Sequence, residues 1–232
     1  MQFFFAENID SDYYTLPPEE SKHCTKVLRM GVGDMITLTD GRGTLAKARI
    51  VDPDSRACCV EIVERQEGCG RRPFSLHLAV APTKNVARIE WLVEKAVEMG
   101  VEVITPVLCQ HSERGVLKED RLDKIVISAM KQSLKAYKPI IQPLTPVREL
   151  IQQPFSGQRF IAYCDGNTRI PLRECYTPGE NALILIGPEG DFSPEEVDFA
   201  LQQGFRPVTL GNCRLRTETA AMAALAFFNL IN

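Results

Sequence analysis

Residues 182–197 have the sequence ALILIGPEGDFSPEEV, in which an apolar run leads into a turn with two glycines and then into a helix start. The first five residues indicate a buried strand, because no polar residue interrupts them. Ser193 is a natural N-cap, Pro194 suits the first helical position, and Glu196 completes a capping box. We therefore predict a strand-turn-helix unit whose turn lies at the carboxyl end of a sheet strand, where open α/β sheets bind small ligands.

A second unit of the same kind follows at residues 210–220, which have the sequence LGNCRLRTETA. The polar side chains of this loop need partners. One interpretation is purely structural, with Thr217 capping the helix and Arg216 paired with Glu218 at the surface. The helix that follows has no polar face over residues 220–228, so we expect it to be buried on every side, in the core or against a second subunit. We favour a homodimer.

Between Pro73 and the carboxyl end of the chain, apolar runs alternate with helical patterns. This alternation predicts an α/β domain with a mostly parallel sheet. The predicted strands are residues 75–81, 103–108, 160–164, 182–187 and 207–210, and the clearest predicted helices are residues 86–99 and 121–134.

The first 70 residues have a different pattern, with short β-rich runs separated by turns. One helix is predicted at residues 18–28, followed by strands at residues 35–40, 44–52 and 57–64. We interpret this as a small β-barrel. Residues 66–73 are polar and rich in chain breakers, so we predict two domains, at residues 1–70 and 73–232.

The composition excludes several classes of protein. The net charge is −3, and residues 1–72 carry ten Lys and Arg against twelve Asp and Glu, so bulk electrostatic attraction to nucleic acid is excluded. The eight cysteines and three histidines have no zinc spacing, so we predict no metal site.

The longest apolar run, residues 220–228, is far shorter than the roughly 20 residues of a membrane span. With no basic leader, we expect a cytoplasmic protein that does not bind membranes.

Glycine-rich phosphate-binding motifs are also absent from the sequence. The pair of segments GPEGDFS and LGNCRLRTETA, about twenty residues apart, instead resembles the RsmE family of ribosomal RNA methyltransferases, within the SPOUT superfamily. The resemblance extends over the whole chain, and its most specific part is residues 215–220. The other matching residues are His23, residues 27–29, Gly33 and Asp34, Lys84, residues 94–101, and Gln132 and Ser133.

The resemblance implies an S-adenosylmethionine (SAM) dependent enzyme that methylates N3 of a specific uridine in small-subunit ribosomal RNA. It implies a PUA-like, RNA-binding β-barrel in the first domain and a SPOUT domain in the second, with a trefoil knot at about residues 160–220 that holds SAM. The pocket residues that it implies are Ile186, Gly187, Gly190, Leu210, Gly211, Leu215 and Thr217.

For catalysis, Arg216 is the predicted residue that stabilises negative charge on the uracil ring, because a guanidinium pairs with an oxygen through a fixed donor fork. Glu218 is predicted to act as the base or to orient Arg216. Arg29, Lys84 and Lys135 are predicted RNA contacts. Two other functions stay open at this point: methylation of a different RNA base on the same fold, and a non-catalytic RNA-binding factor in ribosome assembly.

The sequence departs from the family pattern in two places. Asp191 stands where many relatives have glycine, and the amino-terminal MQFFF lacks the arginines that are common in the family. Together with the acidic charge balance, this predicts weak binding to naked RNA and a preference for the assembled small subunit.

Overall fold

The computed structural model describes residues 3–163 and 170–232, and in it the chain forms two units. The first unit comprises residues 1–71 and 127–138, and the second comprises residues 72–126 and 139–232. The second unit is therefore interrupted in sequence, which the sequence pattern did not indicate.

A five-stranded sheet forms most of the first unit, with the order β1-β3-β4-β5-β2. Its strands are β1 (Phe3–Phe5), β2 (Tyr13–Thr15), β3 (Met35–Thr39), β4 (Leu45–Asp52) and β5 (Cys59–Gln66). Strands β1 and β3 are parallel, and the other neighbours are antiparallel. The three longer strands were predicted, whereas the three-residue strands β1 and β2 were not.

Strand β4 shows why this sheet has one buried face. Ala46, Ala48 and Ile50 are fully buried, and the residues between them are exposed. Lys47 on the exposed side lies 2.7 Å from Glu64 of β5. This alternation is the pattern of a sheet with a core on one side and solvent on the other. Closure of the sheet into a barrel stays a prediction.

The helix predicted at residues 18–28 is present as two consecutive segments, α1 (Pro18–Lys22) and a π-helix (His23–Val27).

The segment 136–138 is bonded to the turn between β3 and β4. The Gly43 amide donates to the Ala136 carbonyl at 2.9 Å, and the Lys138 amide donates to the Gly41 carbonyl at 2.8 Å. Gly43 has φ +102°, and the Tyr137 ring occupies the place where its Cβ would be. These contacts join residues 136–138 to the first unit.

The second unit contains a seven-stranded sheet in which every recorded strand pair is parallel. The order is β12-β10-β11-β6-β7-β8, and β9 also pairs with β7. The strands are β6 (Leu76–Val80), β7 (Val103–Leu108), β8 (Ile140–Ile141), β9 (Thr145–Pro146), β10 (Gln158–Ala162), β11 (Ala182–Ile186) and β12 (Arg206–Val208). The ends of the five predicted strands differ from these by no more than two residues, and Cys164 of the third lies outside the described residues.

In the part of the chain that the structure describes, six helices follow the strands of this sheet or connect them. They are α2 (Val86–Glu98), α3 (Glu119–Gln132), α4 (Val147–Gln152), α5 (Leu172–Cys175), α6 (Pro194–Gln202) and α7 (Thr217–Ile231). Every residue of β6 and β11 is buried, as expected for central strands of a parallel sheet with both faces covered. Within the described residues, no helix is long and apolar enough to cross a membrane.

Within this chain, only one side of helix α7 is buried. Ala221, Ala224, Leu225 and Phe228 are buried, whereas Met222, Ala223, Ala226 and Phe227 are half-buried. The core of this chain therefore does not bury the helix on every side, and burial against a second subunit stays a prediction. An apolar face with no covering from the described residues remains.

Candidate functional site

A cavity of about 760 Å³ lies at the carboxyl ends of β10, β11 and β12. Two turns form most of its wall, one after β11 and one between β12 and α7. The predicted strand-turn-helix units therefore lie side by side and enclose a space. The lining residues are Ala162, Tyr163, residues 186–189, Asp191, residues 208–217 and Ala220.

The first turn is shaped by the capping box at the start of α6. Ser193 Oγ accepts a hydrogen bond from the Glu196 amide, and the Glu196 carboxylate accepts one from the Ser193 amide. Both residues are buried, which fixes the direction in which the chain enters the helix. Asp191 has φ +61°, and its Oδ1 accepts from the Phe192 amide at 2.8 Å. The predicted helix start is confirmed.

The second turn begins where β12 ends. Thr209 Oγ1 donates to the Gly211 carbonyl at 2.8 Å. Gly211 has φ +137°, a backbone conformation that side chains rarely allow. Helix α7 then starts at Thr217, with Arg216 in the N-cap position.

Thr217 joins the two turns. Its Oγ1 donates to the Gly187 carbonyl at 3.0 Å, and both residues are buried. This differs from the purely structural interpretation, in which Thr217 caps its own helix. The hydroxyl instead bonds to a chain segment thirty residues earlier.

We expect Thr217→Val to lower the free energy of unfolding by about 1–3 kcal/mol, because the buried Gly187 carbonyl would lose its donor. Urea denaturation measures this difference. Thr217→Ser keeps the hydroxyl and serves as the control. Equal stability of the Val and Ser variants would contradict the role assigned to this hydrogen bond.

Six of the seven predicted pocket residues lie on the cavity wall, namely Ile186, Gly187, Leu210, Gly211, Leu215 and Thr217. Gly190 is not among the lining residues. A Cβ at this position would lie 3.0 Å from the Cβ of His111. The structure therefore explains this glycine by its close contact with His111.

Arg216 and Glu218 have different surroundings. Arg216 lines the cavity and is exposed, and its guanidinium has no hydrogen-bond or ion-pair partner in residues 3–163 and 170–232. Glu218 is buried, and its Oε1 lies 3.7 Å from Nη1 of Arg88 on α2. The surface ion pair between Arg216 and Glu218 is therefore wrong. Glu218 Oε2 is buried and has no hydrogen-bond partner within the described part of the chain.

The predicted RNA contacts are divided between the two units. Arg29 and Lys135 belong to the first, and Lys84 belongs to the second. Arg29 is exposed and has φ +56°. Lys84 Nζ lies 2.7 Å from Oε2 of Glu113, and this hydrogen bond and ion pair raise the pKa of Lys84. Lys84 therefore has an acidic neighbour that an RNA phosphate would have to replace.

Sequence reasoning missed several polar residues of the wall. Glu189, Asn212, Cys213 and Arg214 line the cavity, and only their position inside the two quoted segments could have indicated them. Arg88 gave no signal, because its partner Glu218 is 130 residues away in sequence.

Residues 70–229 match the family model of an RNA methyltransferase domain, and residues 16–63 match that of an RNA methyltransferase PUA domain. A relative from Mesomycoplasma hyopneumoniae, named ribosomal RNA small subunit methyltransferase E, is 30% identical over 97% of this chain and 97% of its own length. The chain belongs to the RsmE family of RNA methyltransferases. The resemblance inferred from the sequence is confirmed.

Two solved structures are similar to this chain over nearly its full length. A crystal structure of a probable rRNA-methyltransferase from Porphyromonas gingivalis has a TM-score of 0.92 and 43% identity, and the match covers 100% of this chain and 98% of that one. The Neisseria gonorrhoeae ribosomal RNA small subunit methyltransferase E, bound to S-adenosyl methionine, has a TM-score of 0.88 and 30% identity, with 99% and 97% covered.

Proposed function

We propose that this chain transfers a methyl group from SAM to N3 of a uridine in small-subunit ribosomal RNA. The observation that carries the proposal is the cavity between the two turns, whose wall includes Arg216, a guanidinium without a partner in the described residues. Family membership and the SAM-bound relative support the cofactor and the RNA class. The position N3 is inferred from the family resemblance and is the finer part of the proposal.

The residues of the cavity fit SAM. A volume of about 760 Å³ lies within the roughly 300–1,000 Å³ of small-molecule sites. Ile186, Val208 and Leu215 provide apolar surface for an adenine ring, and the carboxylates of Glu189 and Asp191 favour a cationic ligand. When bound, SAM supplies an electrophilic methyl group on a positively charged sulfur.

The position of Arg216 on the cavity wall supports a role at the RNA base. Removal of the N3 proton leaves negative charge on the uracil ring, and a guanidinium on the cavity wall would stabilise that charge. The Arg216 side chain makes no hydrogen bond that caps α7 in the described residues. We assign charge stabilisation to Arg216.

Glu218 is not on the cavity wall, but its Oε2 is a buried acceptor without a partner in the described residues. We propose that Glu218 accepts the N3 proton or, through its ion pair, orients Arg88. The sequence had suggested that Glu218 orients Arg216, but the ion-pair partner of Glu218 is Arg88.

The remaining family features complete the proposal. We propose that residues 1–70 form an RNA-binding PUA-like barrel, that residues 73–232 form the SPOUT domain, and that residues of about 160–220 form a trefoil knot. Part of that range, residues 164–169, lies outside the described residues.

A homodimer is supported by the apolar side of α7 that this chain leaves half-covered. Met222 and Phe227 are half-buried there, and Leu230 near the end of the helix is 88% exposed. Burial of such a face against a second copy is a common solution for an apolar helix.

The assembled small subunit in the cytoplasm is the proposed substrate. The net charge of −3 offers no general attraction to naked RNA, so the shape of the particle must supply specificity. Equal methylation rates on free ribosomal RNA and on assembled subunits would contradict this part.

The decisive experiment incubates the protein with labelled SAM and small subunits from a strain that lacks the enzyme, and then locates the label by mass spectrometry. Label on N3 of one uridine is the expected result. Label on another base would replace the target but keep the reaction class. Absence of SAM binding by calorimetry would instead indicate a non-catalytic RNA-binding protein.

Cys213 provides a test of where SAM binds. It is an exposed free cysteine on the cavity wall, and we expect SAM to slow its alkylation by iodoacetamide several-fold. Peptide mass spectrometry measures the rate at each cysteine. Cys175, which is half-buried and does not line the cavity, is the internal control. An unchanged alkylation rate at Cys213 would place SAM elsewhere.

A further inference from the structure

His111 contacts the turn after β11 from a neighbouring loop. It follows β7, and its Nδ1 lies 3.1 Å from the Gly190 carbonyl oxygen and 3.0 Å from the Asp191 carbonyl oxygen. Because both partners are acceptors, Nδ1 must carry a proton and donate. A neutral imidazole with its hydrogen on Nδ1 is sufficient.

The carbonyl groups that His111 contacts belong to a part of the backbone that is unfavourable for most residues. Asp191 has φ +61°, in the left-handed region, where a residue with a side chain is less stable than glycine. The Asp191 side chain offsets part of this cost by accepting from the Phe192 amide. The Asp191 amide also donates to the Pro188 carbonyl at 3.0 Å, and the hydrogen bonds from His111 hold the conformation from a separate loop.

Gly190 allows His111 to come this close. A Cβ at Gly190 would lie 3.0 Å from the His111 Cβ, so a side chain there would displace the imidazole. The glycine and the histidine therefore form one contact, beside the cavity wall and outside it.

The loop that carries His111 is itself firmly held. The Gln110 amide donates to Oε1 of the buried Glu196 at 2.8 Å. The Cys109 amide donates to Ser112 Oγ at 3.0 Å. Glu196 also forms the capping box of α6. The loop is therefore bonded to the start of that helix, next to the residue that contacts the turn.

We propose that His111 is a positioning residue for the cofactor site. It holds the turn in the left-handed conformation at Asp191 and thereby keeps Glu189 and Asp191 on the cavity wall before SAM arrives. This inference rests on the proposed function, since it assigns a role in the binding of SAM. It predicts an effect on SAM affinity rather than on the methyl transfer itself.

Two substitutions separate the hydrogen bond from the rest of the side chain. In His111→Asn, the amide nitrogen takes the place of Nδ1 and can still donate. In His111→Gln, the amide nitrogen reaches the place of Nε2, so the donor is lost from the turn. We expect calorimetry to show SAM binding within about twofold of wild type for Asn and about 3- to 10-fold weaker for Gln. The kcat at saturating SAM and the KM for RNA should be unchanged.

Asp191→Gly provides a coupled test. Glycine adopts a positive φ without strain, so His111→Gln should weaken SAM binding less than about twofold in that background. An undiminished effect of His111→Gln with glycine at position 191 would overturn the inference. Equal behaviour of the Asn and Gln variants, whether both bind weakly or both bind normally, would also overturn it.

Hydrogen exchange of residues 187–192 without SAM gives a readout that does not depend on the proposed function. The amides of this turn should exchange faster in His111→Gln than in wild type and in His111→Asn. Failure of the wild-type protein to bind SAM would refute the proposed function and leave the exchange result to decide the role of His111. Equal exchange in all three proteins would overturn that role.

Discussion

Arg216→Ala is expected to lower kcat by about 10²–10³ while the protein remains folded. The guanidinium lies on the cavity wall without a partner in the described residues, so its hydrogen-bonding capacity is available to a substrate. Under the proposed mechanism, its loss would remove a donor that stabilises negative charge on the uracil ring. Steady-state transfer of labelled methyl groups to small subunits at saturating SAM measures kcat.

Arg214→Ala is the matched control, because Arg214 is also exposed and lines the same cavity. We expect it to weaken RNA binding without a large loss of kcat. Arg216→Lys keeps the positive charge but removes the planar donor fork, so it should restore only part of the rate. A rate in Arg216→Ala similar to that of Arg214→Ala would exclude Arg216 from the mechanism.

The sequence predicted those parts of the fold and site that depend on neighbouring residues. The capping box of Ser193 and Glu196 was correct, because its partners are three residues apart. The central strands were also predicted, since an uninterrupted apolar run such as residues 182–186 is typical of a parallel sheet with both faces covered.

Contacts between distant segments were not predictable in the same way. Arg216 and Glu218 are close in sequence and opposite in charge, yet Glu218 pairs with Arg88 on another helix. Thr217 was expected to cap α7, but its hydroxyl bonds to Gly187. In each case the residue types were suitable for the local partner, and only the packing of α7 against the sheet and α2 decided between the alternatives.

Gly190 shows a similar limit of motif reasoning. A glycine inside a ligand-binding turn suggests that the ligand approaches the backbone there. The structure instead shows a close contact with His111, on a loop about eighty residues earlier in the chain. Any group that packs closely against the backbone can require a glycine. The motif therefore indicates a position without room for a Cβ, but it does not indicate whether a ligand or a side chain lies there.

The stability of the second unit is expected to fall as the pH is lowered from about 6.5 to about 4, because of His77. This residue lies on the central strand β6 and is 9% exposed. Burial lowers the pKa of His77 from 6.5 to about 4, since the charged imidazole loses its contact with water. Its Nε2 lies 2.7 Å from Thr105 Oγ1, which donates in turn to Gln142 Oε1 at 2.6 Å. The hydroxyl therefore accepts from Nε2, and an added proton would go to Nδ1.

The direction of the effect follows from the two pKa values of His77. Between pH 6.5 and about 4, the unfolded chain binds a proton at this residue and the folded chain does not, so acid favours unfolding. Above pH 6.5 the imidazole is neutral in both states, and below about pH 4 it is charged in both, so the loss is confined to this interval. The shift corresponds to about 3 kcal/mol over the whole interval.

His77→Gln isolates this contribution from the carboxylates that also titrate in acid. The Gln amide nitrogen can still donate to Thr105 Oγ1 from the position of Nε2, but it does not titrate. Urea denaturation at pH 7, 5.5 and 4 should show the wild type losing about 3 kcal/mol more than the variant. The two curves should therefore approach or cross as the pH falls, even if the substitution costs some stability at pH 7. Parallel pH dependence in the two proteins would show that His77 titrates normally in the folded chain, and its burial on β6 would then carry no penalty for charge.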